Sequence, residues 1–127
     1  MSWSSFIKNL LGGSDADTEV AENADQSGVR NENLSGKAFK KQLEETPGAV
    51  LLDVRTAGEF AAGTIPGSVN MDFLSPSFAG KVQKLDKNVT YFLFCRSGNR
   101  SGNACKMMYK QGFDVRNLNG GIGSFPF

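Results

Sequence analysis

Histidine is absent from all 127 residues. With it go the imidazole zinc sites and every imidazole acid or base, so catalysis here must draw on Cys, Asp, Glu, Lys, Arg, Tyr, hydroxyls or backbone amides. Cysteine is scarce as well, and the two present cannot build a disulfide scaffold. No apolar run is long enough to cross a bilayer, which excludes a transmembrane segment. No dense Lys/Arg stripe interleaved with aromatics occurs, which argues against nucleic acid as a partner. Nothing in the residue types calls for a metal or an organic cofactor.

What remains is ordinary: 39% hydrophobic and 21% charged residues, with a formal net charge of +1. A chain of this size buries roughly two-thirds of its unfolded surface, enough for one core without staples. The small net charge hides an asymmetry. Residues 1–33 carry two basic and six acidic groups, leaving twelve basic and seven acidic in 34–127. A mildly basic domain behind an acidic leader can steer small anions or an acidic partner.

Within the leader, Trp3, Phe6, Ile7, Leu10 and Leu11 recur at helical spacing until Gly12-Gly13, so residues 1–13 read as a short amphipathic segment. Its roles are a helix docked on the domain or an anchor for a partner, with protein favoured over lipid because Lys8 alone makes a thin polar face. Lys8 also interrupts the apolar stretch that a secretory signal requires, and the reading is therefore cytoplasmic. Residues 14–28 are polar and acidic, too poor in apolar groups to offset ordering entropy, and read as a flexible linker. The domain proper is expected over 29–127.

From Val29 onward, helical and strand patterns alternate. Ser35 caps an expected helix carrying Phe39 and Leu43, ended by Pro47-Gly48. Ala49-Val50-Leu51-Leu52 is a continuous apolar run, the signature of a strand buried on both faces. A short helix over 58–62, a short strand over 68–71 and a helix over 75–85 follow. Residues 89–94 form the second continuous apolar strand and run directly into Cys95. A glycine-containing turn, a helix over 99–111 stopped by Gly112 and a strand over 115–118 complete the pattern. The expectation is an α/β fold, an open and mainly parallel sheet with helices on both faces. Phe60, Phe92 and Phe94 are expected in its core. In such sheets ligands bind beyond the carboxyl ends of the strands, where Cys95 falls.

Cys95-Arg96-Ser97-Gly98-Asn99-Arg100-Ser101 joins a buried strand to a helix. A thiolate is the competent nucleophile, and surrounding amides, a helix N-terminus and arginines lower its pKa. Gly98 lets the loop curl so that successive N–H groups converge on an anion. Arg96 and Arg100 add forked donors for an oxyanion, with Arg96 the better candidate for substrate and Arg100 able instead to brace the loop. A lone cysteine at a strand end is more often an inert buried thiol. The glycine and two arginines within six residues reverse that here. Cys105, beside Ala104 and Met108 in the expected helix, has no such surroundings and reads as a core thiol, with a resolving thiol the alternative.

Leu51-Leu52-Asp53-Val54-Arg55, Glu59-Phe60, Ala62-Gly63-Thr64-Ile65-Pro66-Gly67-Ser68-Val69-Asn70, the Cys95 loop, and Gly112-Phe113-Asp114-Val115 with Leu118-Asn119-Gly120-Gly121-Ile122 together resemble the single-domain rhodanese (sulfurtransferase) family over about 29–123. The resemblance implies a Cys95 that alternates between thiolate and persulfide. It would take a sulfane sulfur from a thiosulfate-like anion or a protein persulfide and pass it to a thiol or cyanide-like acceptor. An alternative is a persulfide carrier serving a protein partner, with little activity on free thiosulfate. A related phosphatase family shares the cradle but has a loop one residue longer. The four residues enclosed between Cys95 and Arg100 suit one sulfur better than a phosphoryl group.

Departures from the family accompany the match. Thr64 stands where a histidine is usual, which implies altered local packing rather than lost activity. The aromatic usual after the double glycine is replaced by Phe125, which can cover the core in its stead. Asp53 can bond loop amides or pair with a cradle arginine, and Arg55 can touch substrate, although supporting roles are favoured for both.

Overall fold

The computed structural model describes residues 28–127. The segment expected over 1–13 and the linker over 14–28 lie outside them, apart from Gly28. Five strands, β1 (Asn31–Leu34), β2 (Val50–Asp53), β3 (Val69–Asn70), β4 (Thr90–Phe94) and β5 (Asp114–Leu118), form one sheet in the order β1-β5-β4-β2-β3. Every neighbouring pair is parallel. Parallel strands need crossovers, and four helices supply them: α1 (Gly36–Glu45), α2 (Ala57–Ala62), α3 (Phe78–Gln83) and α4 (Asn99–Lys110).

Alternation along β4 divides the core in two. Tyr91, Leu93 and Cys95 point to one face, packed with Phe78 and Val82 of α3 and Ala104, Cys105 and Met108 of α4. Phe92 and Phe94 point to the other, packed with Phe39 of α1, Leu51, Ile65 and Leu118. Because both faces are covered, β2 and β4 lack a polar alternation, as buried parallel strands must. Phe39 meets Phe92 edge-on at 5.3 Å and Phe125 at 6.4 Å, so Phe125 does cover this core from the chain's last residues.

Local signals act where the sequence places them. The Ser35 hydroxyl accepts from the Ala38 amide at 3.2 Å and opens α1, which ends at Thr46 before Pro47. Three expectations change. The strand β1 is missing from the sequence reading, because Asn31-Glu32-Asn33-Leu34 is polar and sits at a sheet edge, paired with β5 alone. The helix expected over 75–85 is confined to α3, since Ser75-Pro76-Ser77 is spent on turns closed by Ser75 N–H to the Asp72 carbonyl and Phe78 N–H to the Ser75 carbonyl. Phe60 is half-buried rather than core, for α2 is a short surface helix with no buried residue.

Candidate active site

Cys95 follows the central strand β4, and its sulfur faces the first turn of α4. The first amides of a helix lack intrahelical acceptors, and the loop aims them at the sulfur. Sγ accepts from the Gly98 amide at 3.0 Å, the Ser101 amide at 3.4 Å and the Ser101 hydroxyl at 3.4 Å. Burial pushes the thiol up, but the bonds from the Ser101 hydroxyl and from the Ser101, Gly98 and Ser97 amides outweigh it, and the net effect holds Cys95 below an ordinary thiol. Cys105 shows the effect of burial without those donors. It is equally buried, none of these donors reaches it, and its thiol is pushed up to about 12, chiefly by desolvation. Both cysteines are free.

The loop conformation depends on two glycines. Gly98 has φ +98°, a left-handed conformation that L side chains rarely adopt, and a β-carbon there would lie 3.2 Å from both the Leu118 carbonyl oxygen and the Gly120 nitrogen. Gly121 packs so closely on the Arg96–Ser97 peptide that a β-carbon would collide with it. The Ile122 amide donates to the Cys95 carbonyl at 2.9 Å, so the segment after β5 clamps the loop from outside.

The three arginines nearby differ in their freedom. Arg100 forms a two-bond ion pair with Glu59 of α2, Nη1 to Oε1 at 2.9 Å and Nη2 to Oε2 at 3.2 Å. Glu59 is positioned by its own helix, because it forms a capping box with Thr56. Arg55 is buried against Asp53, with Nε to Oδ1 at 2.9 Å and Nη2 to Oδ2 at 2.7 Å, and Nη2 also reaches the Gly63 carbonyl at 2.6 Å. Asp53 also accepts from Thr64 Oγ1 at 2.8 Å, while Asn70 Nδ2 donates to the Asp53 and Arg55 carbonyls at 2.9 Å each. Thr64 thus helps to satisfy the Asp53 carboxylate. Asp53 bonds neither the loop amides nor the loop arginines. Arg96 is exposed and makes no hydrogen bond or ion pair among the described residues. Ser97 receives the Asn99 amide on its hydroxyl at 3.4 Å, and both residues are exposed.

Three positions that the sequence reading left out belong to this site. Glu59 was only part of a motif there, although a carboxylate three residues after Thr56 signals a capping box. Asn117, buried on β5, donates through Nδ2 to the Gly98 carbonyl at 3.3 Å and to Asn33 Oδ1 at 2.8 Å. No pattern marks these two asparagines, since nothing local relates β1 to the Cys95 loop. Among the described residues no cluster of His, Cys, Asp or Glu could hold a metal ion, and no helix is long and apolar enough to cross a membrane.

Comparison with known proteins bears on the family and the fold. The family model for the rhodanese-like domain matches residues 35–125. A putative sulfurtransferase of Bacillus subtilis, YtwF, is 38% identical over 89 residues, spanning 70% of this chain and 84% of that protein. The thiosulfate sulfurtransferase GlpE of Pseudomonas savastanoi pv. phaseolicola is 40% identical over 76 residues, 59% of this chain and 70% of its own. A putative sulfur carrier protein of Bacillus subtilis, YrkF, is 34% identical over 84 residues, 63% of this chain and 42% of its own. Among solved structures, a rhodanese-like domain protein from Staphylococcus aureus superposes with a TM-score of 0.66 at 25% identity, covering 75% of this chain and 91% of that one. A parallel sheet ending in a glycine-bent cysteine loop, and a family match over most of the described residues, lead to one assignment: the chain belongs to the rhodanese-like domain family.

Proposed function

We propose that this protein is a sulfurtransferase that carries a sulfane sulfur on Cys95. The observation that supports it most is the donor set on Sγ, two amides and a hydroxyl in a buried site, which stabilises a thiolate without any histidine. In the first half-reaction the thiolate attacks the outer sulfur of a sulfane donor. With thiosulfate the S–S bond breaks, sulfite leaves with the electron pair, and Cys95 becomes a persulfide anion. In the second, an acceptor such as cyanide or a thiolate attacks the terminal sulfur and the Cys95 thiolate departs. Charge is conserved in each step, and no proton need be moved by an acid or base. Ser97, Gly98, Asn99 and Ser101 line the loop that receives the negative terminal sulfur, and Arg96 is the guanidinium available to the entering anion. Arg100, Asp53 and Arg55 support the loop and its surroundings from their ion pairs.

A carrier reading, in which Cys95 holds sulfur for a protein partner, is favoured by the similarity to the sulfur carrier protein. Both readings share the persulfide, and a free thiolate suits the reducing cytoplasm. Intact-mass measurement tests it. Thiosulfate or a persulfide donor adds one sulfur atom, and cyanide removes it. Cys95→Ser abolishes the adduct, whereas Cys105→Ser retains it. An unchanged mass with every sulfane donor, or an adduct that survives Cys95→Ser, overturns the proposal.

A further inference from the structure

Three guanidinium groups lie at the carboxyl end of the sheet, and the structure divides them two to one. Arg55 is neutralised by Asp53 across 2.7 Å, and Arg100 by Glu59 across 2.9 Å. The two pairs are close enough to interact, for Arg55 feels both Glu59 and Arg100, while Arg100 also feels Cys95 and Asp72. What is left for a substrate is the thiolate of Cys95, the single free charge of Arg96 and the loop amides. Asp72, whose charge also reaches Arg100, leaves that sum with no net positive charge. A dianion entering it finds no surplus positive charge, and the repulsion that the thiolate and Asp72 exert on it is about twice that on a singly charged donor.

We propose that Glu59 sets donor specificity: by holding Arg100 in a two-bond ion pair it leaves one free guanidinium at the Cys95 loop, and so favours a sulfane sulfur carried on a thiol over dianionic thiosulfate. This rests on the persulfide reading of Cys95 given above. The transfer balances as Cys95 thiolate plus an alkyl persulfide anion giving the Cys95 persulfide anion plus an alkyl thiolate. The S–S bond of the donor breaks, its inner sulfur keeps the electron pair, and no oxidant or reductant enters. Glu59 touches neither substrate nor sulfur in this scheme. It acts by withholding the charge of Arg100.

The experiment follows the rate at which Cys95 gains sulfur, by intact mass, from thiosulfate and from cysteine persulfide, whose amino-acid charges cancel and leave one negative charge. Glu59→Gln is the informative variant, because glutamine preserves the capping box of α2 while releasing Arg100. It is expected to raise the ratio of thiosulfate to cysteine-persulfide loading about fivefold at low salt, and the gain is expected to fade as ionic strength rises. Arg100→Gln, which leaves Glu59 unpaired, is expected to lower the same ratio, and the double variant to return it toward that of the native protein. A ratio unchanged in Glu59→Gln and in Arg100→Gln, or a gain insensitive to salt, overturns the proposal. If Glu59→Gln does not fold, the Arg100→Gln result decides alone. Failure of both donors to load native Cys95 is a different outcome and sinks the persulfide reading itself.

Discussion

The side chain of Asn117 donates to the carbonyl of Gly98 at 3.3 Å, and the amide of that same glycine donates to Cys95 Sγ at 3.0 Å. A buried residue of β5 therefore holds the residue whose amide meets the Cys95 sulfur. Asn33 on the edge strand holds the Asn117 amide from the other side. Asn117→Leu, which keeps the volume and removes the donor, is expected to move the alkylation midpoint of Cys95 to higher pH and to lower sulfur transfer by about tenfold, the effect of one hydrogen bond of about 1.4 kcal/mol. Asn33→Ala is expected to shift both in the same direction by less. A lowered melting temperature with an unmoved midpoint would reduce Asn117 to a packing residue.

Thiol chemistry separates the two cysteines. Donors hold Cys95 low and burial holds Cys105 near 12. Iodoacetamide is expected to modify one residue, Cys95, with a midpoint below the free-thiol value of about 8.5, and to reach Cys105 in denaturant alone. Peptide mapping at several pH values checks this.

Gly121→Ala should disable the loop without touching the sulfur. The new methyl group collides with the Arg96–Ser97 peptide, and φ at this position is +77°, so backbone and loop must both shift. A loss of about 1–3 kcal/mol in stability is expected. A fall in transfer of about tenfold or more should accompany it, because amides misaimed by a fraction of an ångström no longer meet the anion. Retained activity in this variant would show that the segment after β5 does not clamp the loop.

Loop length can be tested directly. One glycine inserted after Gly98 widens the cradle, and sulfur loading is expected to drop by about tenfold or more. The native protein is expected to show no Cys95-dependent hydrolysis of aryl phosphates. Phosphatase turnover that disappears in Cys95→Ser would reverse that ranking.

Acid should release the Arg100 tie. Hydrogen bonds from Arg100, then from the Thr56 amide, hold the Glu59 carboxyl down to about 2. The folded value lies below the unfolded one of about 4.3, so the stabilisation is complete above the unfolded value and is lost as pH falls through the folded one. The stability difference between the native protein and Glu59→Gln, read from urea midpoints, is expected to narrow between about pH 5 and about pH 2. Its size should be small, because both side chains are partly open to solvent.

Much of this molecule is legible in one dimension. The runs at 49–52 and 89–94, the Ser35 cap, the Pro47-Gly48 stop and the Gly112 stop are local signals, and each leads to an element within a residue or two of its expected place. The contacts of Gly98 and Ser101 with Cys95 are legible for the same reason, since a strand-turn-helix passage of seven residues contains both the thiol and the donors that meet it. The edge strand β1 is not, because an edge needs no apolar alternation to be held by its single neighbour.

Charge pairing is the other part that no local pattern carries. Place in the chain ranks Arg96, Arg100 and Arg55 but does not name their partners, since Glu59 lies 41 residues before Arg100 and Asn33 lies 84 residues before Asn117. Local hydrophobic period and turn chemistry act over a few residues and determine the elements, the sheet and the Cys95 loop. Which cation stays free, which carboxylate is spent, and which amide steadies the loop are decided by contacts that exist only once β1, β5, α2 and α4 have packed together.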